Sequence, residues 1–178
     1  MFGPVRAVYP DDAPTWLRNA DLHSIRPVRR AGHGIETGYT CNVLLVRSSA
    51  ENLEFNPAFG RSGGEDTIFF NQMHRRGARL SFAPNAVVTE IVPAPRARLD
   101  WLLKRSFRTG QTHARILRAR GATKSRDAAM AVMKVVYCAG AAGLNAFSPA
   151  RRSRALMRGA LHCGVVGSLL GLSDLRLY

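Results

Sequence analysis

The chain has 178 residues, 46% of them hydrophobic, and its 26 Lys and Arg against 12 Asp and Glu leave a net charge of +14. That apolar content excludes wholesale disorder, and the length suits one domain or a domain with an appendage. The charge calls for an anionic partner or surface: nucleic acid, acidic lipid or a phosphorylated substrate.

Met1-Phe2-Gly3-Pro4 holds no charged segment followed by an apolar run, so no secretory signal is expected. Asp12-Ala13-Pro14-Thr15-Trp16-Leu17 predicts a helix start, with Asp12 as its cap and Pro14 in the first turn. Gly32 and Gly34 flank a loop, and Gly38 to Arg47, rich in Val and Leu, predicts a buried strand. A polar, turn-rich stretch runs from Ser48 to Ser62.

A sharp helix signal follows. Ser62-Gly63-Gly64 is a flexible lead-in, Glu65 and Asp66 occupy the dipole-favoured first turn, and Phe69 and Met73 stand four apart with Phe70 beside them. Arg75 and Arg76 fill the last turn and Gly77 ends it. Two short strands, Arg79 to Ala83 and Ala86 to Val92, are predicted on either side of Pro84-Asn85.

The composition shifts near Pro93-Ala94-Pro95, dividing the chain into an α/β part (1–95) and a tail (96–178). Arg96 to Arg126 holds ten basic residues, Arg120 among them, against the single acid Asp100. Leu99, Leu102, Leu103, Phe107, Ala114 and Leu117 recur near helical spacing, interrupted by Gly110: a basic amphipathic helix. Apolar runs then extend from Ala128 to Phe147 and from Gly159 to Leu172, separated by Arg151-Arg152-Ser153-Arg154. The first run is nominally long enough to span a bilayer but rich in Ala and Gly. Helices lying in the interface, with basic residues on anionic headgroups, are preferred over a soluble helical subdomain. This places the chain in the cytoplasm, peripheral at the inner face of the membrane. The basic stripe lacks interleaved aromatics for base stacking, so nucleic acid is not the expected partner. A basic nucleic-acid- or membrane-surface-binding module without catalysis is the alternative.

Cys41, Cys138 and Cys163 are scattered and odd in number, which argues against a disulfide framework or a paired-ligand zinc site. They read as buried small hydrophobes in a reducing compartment. The histidines, His33 among them, show no ligand spacing.

The best chemical candidate is Gly63-Gly64-Glu65-Asp66. The glycines allow close backbone approach, and two carboxylates open the helix about 100° apart. One can face a substrate, and a carboxylate beside a bound hydroxyl can act as a general base. The same four residues also make a plain helix start.

The run Phe59-Gly60-Arg61-Ser62-Gly63-Gly64-Glu65-Asp66-Thr67-Ile68-Phe69-Phe70 is followed by His74-Arg75-Arg76-Gly77-Ala78-Arg79-Leu80 and Ala83-Pro84-Asn85-Ala86-Val87-Val88. Together these resemble the second half of a family 2 glycosyltransferase, of the bacterial polysaccharide type with a GT-A fold. Gly3-Pro4-Val5-Arg6, Thr37-Gly38 with Asn42, and Trp101 to Gly110 fit the same pattern, so the resemblance covers roughly residues 3 to 117.

The fold it implies is α/β, a partial GT-A-like, half Rossmann-like mixed sheet with helices, ahead of the basic helical tail. It also implies inverting transfer of a sugar from a nucleotide-sugar donor to a glycan or lipid-linked acceptor. Asp66 would be the general base, and Gly63, Gly64, Glu65, Asn42 and Arg108 would bind substrate, Arg108 near the diphosphate. The family's divalent metal, Mg or Mn, is held by an aspartate motif in a nucleotide-binding first half that has no counterpart here. Glu90 resembles the position at which many relatives carry a metal-contacting His. The chain is therefore expected to be a C-terminal piece that binds donor poorly alone. Gly-Gly-Glu-Asp also echoes the loop of cyclic-dinucleotide synthases, but with the acids in the opposite order and flanks that predict a helix.

Overall fold

A computed structural model describes residues 1–30, 32, 34–60, 63–119 and 124–175. His33, Arg61, Ser62 and Arg120, singled out from the sequence, lie outside the described residues. Among those described, the protein is mixed α/β and mostly helical, with five α-helices and four short strands. It divides into two units: Met1–Val8 with His23–Val92, and Tyr9–Leu22 with Pro93 onward.

In the first unit, β1 (Val5–Val8) pairs in parallel with β4 (Val88–Ile91), Val5 opposite Val88 and Val8 opposite Ile91. Parallel neighbours need a crossover, and here it includes helix α2 (Glu65–Arg75). A separate antiparallel pair joins β2 (Arg29–Arg30) to β3 (Gly34–Ile35). The described residues thus hold two two-stranded sheets, one parallel and one antiparallel.

Helix α2 begins where expected, because Gly63 (φ 76°) and Gly64 (φ 97°) adopt the left-handed turn that a side chain resists. Its buried face, Phe69, Phe70 and Met73, packs with Phe2 and Ile35 into the core of this unit. Phe2 meets Phe70 edge-on at 4.8 Å, and Phe55 stacks on Phe69 at 4.3 Å.

Gly38 to Arg47 is not a strand. A 3-10 turn occupies Thr40–Asn42 and another occupies Arg47–Ala50, leaving one bridge, Val43 to Phe2. The Asn42 side chain causes the turn to hold: its Nδ2 donates to the carbonyls of Pro4 and Ala86 at 3.0 and 2.8 Å. Leu44 and Val46 are left exposed. The predicted strand from Arg79 to Ala83 likewise shrinks to a single bridge, Phe82 to Phe2.

In the second unit, α1 (Thr15–Ala20) starts after Pro14, which sits at the N-cap with no side-chain bond. Asp12 is therefore not the cap. It lies exposed in the preceding turn, and the Pro14 carbonyl takes the first helical N–H bonds, from Leu17 and Arg18. Three longer helices follow: α3 (Leu99–Ala119), α4 (Lys124–Leu144) and α5 (Pro149–Leu169). Helix α5 packs against α3, α4 and α1.

Gly110 does not interrupt α3. It lies against the Leu161 carbonyl of α5, while Gly164 of α5 lies against the Phe107 carbonyl of α3. Two glycines let the helix axes close to backbone contact, offsetting the roughly 1 kcal/mol that each costs a helix interior. Ala114, Ala131 and Val165 fill the core beside them. The final apolar run is thus partly core, with Gly164, Val165, Gly167 and Ser168 buried, and not a free interfacial helix.

Several arginines of the basic segments also clamp neighbouring elements together. Arg118 donates to the carbonyl and hydroxyl of Ser168 in the last turn of α5, where helix carbonyls favour a cation. Arg115 pairs with Asp174 at 3.0 Å, and Arg154 donates to the Ala20 carbonyl ending α1 at 2.8 Å. Buried Gln111 donates to the Ser173 carbonyl and accepts from the Leu175 N–H.

Candidate functional site

Asp66 stands in the first turn of α2, half-buried. Its Oδ1 accepts the Thr67 backbone N–H at 2.7 Å, with the Thr67 hydroxyl at 3.4 Å. The loop ahead of the 3-10 turn wraps this helix end: Thr37 Oγ1 donates to the Thr67 carbonyl at 2.8 Å, and Asn71 Nδ2 donates to the Glu36 carbonyl at 3.3 Å. The Thr40 backbone amide completes the cradle around the Asp66 carboxylate.

Opposing influences act on this carboxyl. Burial raises its pKa above the ordinary carboxylate value, and the neighbouring Glu65 charge raises it further; the Thr67 and Thr40 hydrogen bonds lower it. Burial wins, so Asp66 holds a proton more tightly than an ordinary aspartate. The helix N-terminus, which by itself would weaken it as a base, does not dominate.

Glu65 projects from the same turn. Among the described residues its Oε2 is a buried oxygen with no hydrogen-bond partner. Native buried polar atoms are nearly always paired, so this oxygen, next to Asp66 in sequence, is an acceptor that a bound hydroxyl would satisfy.

The structure also brings Cys41 within electrostatic reach of both Asp66 and Glu90. Cys41 is exposed as a residue, but its thiol loses hydration and its pKa is raised; the Glu90 and Asp66 charges add to that effect. Glu90 is exposed on β4. The sequence did not place Cys41 near Asp66. Cys41 and Cys163 are both exposed, so the reading of all three cysteines as buried holds for Cys138 alone. The only signal available was position: Cys41 stands between Gly38 and Asn42, two residues that fit the family resemblance.

Gly63 and Gly64 open the helix at this point. Both amide hydrogens of Asn42 are engaged with backbone carbonyls, so what it offers a ligand is its amide oxygen. Beside it, Tyr39, Cys41, Ile25, Pro27 and Phe2 line a shallow open hollow. Arg108 belongs to the second unit, half-buried on α3. No three His, Cys, Asp or Glu side chains converge as a metal-ligand set among the described residues. These residues do not by themselves fit a divalent cation.

An amide-cradled carboxylate with raised proton affinity, beside a second carboxylate holding an open acceptor atom, suits the removal of a proton from a neutral hydroxyl. The chain is similar to the succinoglycan biosynthesis protein ExoM of Rhizobium meliloti (strain 1021). The two are 48% identical over 182 aligned positions, which cover all of this chain. The chain spans 59% of the length of ExoM. No protein-family model matches the chain. No solved structure matches it. The aligned region includes every residue of the Asp66 site, from Asn42 to Glu90.

Proposed function

We propose that this chain carries the acceptor-activating part of an inverting glycosyltransferase, which moves a sugar from a nucleotide-sugar donor to a glycan or lipid-linked acceptor. The observation that carries the reading is Asp66: a half-buried carboxylate at a glycine-opened helix start, with its proton affinity raised. The likeness to ExoM, named for succinoglycan biosynthesis, supports a polysaccharide-building role.

One acceptor hydroxyl donates a hydrogen bond to Asp66. As its oxygen forms a bond to the anomeric carbon, the bond from that carbon to the diphosphate breaks and the diphosphate keeps the electron pair. The hydroxyl proton passes to Asp66. Attack from the face opposite the leaving group inverts the configuration, the same stereochemical logic as single-displacement glycoside hydrolysis. The Thr40 and Thr67 amides hold the carboxylate in place. Glu65 Oε2 accepts from a second acceptor hydroxyl, and Gly63 and Gly64 leave room for the sugar ring. In this reading the Asn42 amide oxygen lines the acceptor side.

Transfer of labelled sugar from nucleotide-sugar donors to lipid extracts tests the reading, in the 178-residue chain and in any longer natural polypeptide that contains it. Asp66→Asn should lower turnover by about 10²–10⁴-fold, the usual contribution of a positioned base, with the circular dichroism unchanged. Turnover at the native rate removes Asp66 from the base role.

A further inference from the structure

Helix α4 buries one narrow face against its neighbours, Ala131, Cys138 and Ala142, and leaves the rest uncovered. Met133, Val136, Tyr137 and Leu144 are 65%, 67%, 71% and 90% exposed, and Phe147 just beyond the helix is fully so. Met130, Val132, Gly140 and Gly143 fill the same outward side. Lys134 is the lone charge between Asp127 and Arg151. Among the described residues, Ser125–Leu144 is the one helix long and apolar enough to cross a membrane. An apolar surface this continuous marks a binding face.

Its surroundings identify the occupant. From Lys124 to Leu169 there are seven basic residues against the single acid Asp127. Exposed Arg126, Lys134, Arg151, Arg152 and Arg158 flank the apolar face at both ends and along its side. Against a second copy of this chain, these cations would oppose their own equivalents, and the apolar face is wider than a coiled-coil seam. Against anionic headgroups they are complementary.

The packing also decides between spanning and lying flat. Gly159 of α5 sits at Cys138, about two turns inside the C-terminal end of α4, and Lys134 is at the helix midpoint, so Arg158 and Lys134 both lie well within its length. Lys134 and Arg158 both act on His162 there. A spanning α4 would carry these charges into the bilayer, Lys134 to its centre, the costliest place for a charge. We infer that the outward face of α4 docks in the plane of an anionic lipid surface, its apolar residues among the acyl chains and its flanking arginines on the headgroups.

Flotation of the full chain with vesicles tests this. One set is phosphatidylcholine alone; the other includes a minority of phosphatidylglycerol. The native chain should float with the anionic vesicles, stay behind with the neutral ones, and be stripped by alkaline carbonate. Met133→Glu with Tyr137→Glu should cut the floated fraction by roughly tenfold or more, since each places a charge in the buried face. Both side chains are solvent-exposed, so helicity should survive. Leu44→Glu with Val46→Glu, exposed apolar residues of the first unit, should float as the native chain does. Equal flotation by the α4 variant, equal binding to neutral vesicles, or resistance to carbonate would each overturn the inference. So would an unbound native dimer that the α4 substitutions render monomeric.

Discussion

The backbone N–H of Thr67 donates to Asp66 Oδ1 at 2.7 Å, so the carboxylate is pinned by the first turn of its own helix while burial keeps its proton affinity high. In the folded chain Asp66 binds its proton more tightly than in the unfolded chain. Its ionisation therefore costs stability as pH rises above the ordinary carboxylate value, about 3.9. Asp66→Asn keeps an oxygen for Thr67 and removes that cost. The variant should melt at or above the native temperature at pH 7, and the difference should shrink as the pH falls towards 4. Thermal melts across that range check the sign; a variant much less stable at pH 7 contradicts it.

His162 shifts the other way. Burial lowers its pKa below 6.5, and the nearby charges of Lys134 on α4, Arg158 on α5 and His113 on α3 lower it further. The folded state thus binds fewer protons than the unfolded state. Stability is fully present above the unfolded value and declines as pH drops below 6.5. His162→Gln should flatten this decline between pH 7 and 5, read by denaturant melts followed by circular dichroism.

The crossing of α3 and α5 depends on two missing side chains. A Cβ at Gly164 would overlap the Phe107 carbonyl, and one at Gly110 would overlap the Leu161 carbonyl. Gly164→Ala should destabilise by about 1–3 kcal/mol through overpacking. A Cβ at Gly140 on α4 meets nothing within 4 Å. Gly140→Ala should therefore stabilise by about 0.5–1 kcal/mol from helix propensity alone. Opposite signs for two Gly→Ala changes in one helical unit, measured by urea melts, are the check.

Phe70 is 1% exposed at the centre of the first unit, between Phe2 and Phe69. Phe70→Ala should cost about 3–5 kcal/mol, the usual range for a buried aromatic. Gln111→Ala should cost less, about 1–2 kcal/mol for two hydrogen bonds, and expose the segment around Ser173 to proteolysis.

Helix α2 was legible because its signals are local. Paired glycines, first-turn carboxylates, the Phe69, Phe70 and Met73 stripe and the closing Gly77 all act within a few residues of each other. The helix also answers the cyclic-dinucleotide echo, since Glu65 and Asp66 open a helix and not a hairpin. The segment from Gly38 to Arg47 was illegible for the converse reason. Its Val and Leu residues suit a strand, but Asn42 is tied to Pro4 and Ala86, each about 40 positions away in sequence. No local pattern announces that bond. Cys41 reached the site by the same turn.

Charge and periodicity, read along the chain, were enough to determine a cationic protein with long amphipathic helices and an acidic helix start. Contacts between elements decided the rest. They made Arg115 and Arg118 clamps within the unit, and of two similar apolar runs they buried much of 159–169 and left the outer side of 129–147 open. An apolar pattern states only that residues favour leaving water; what they meet instead depends on which helix arrives, and here two glycines let α3 reach α5.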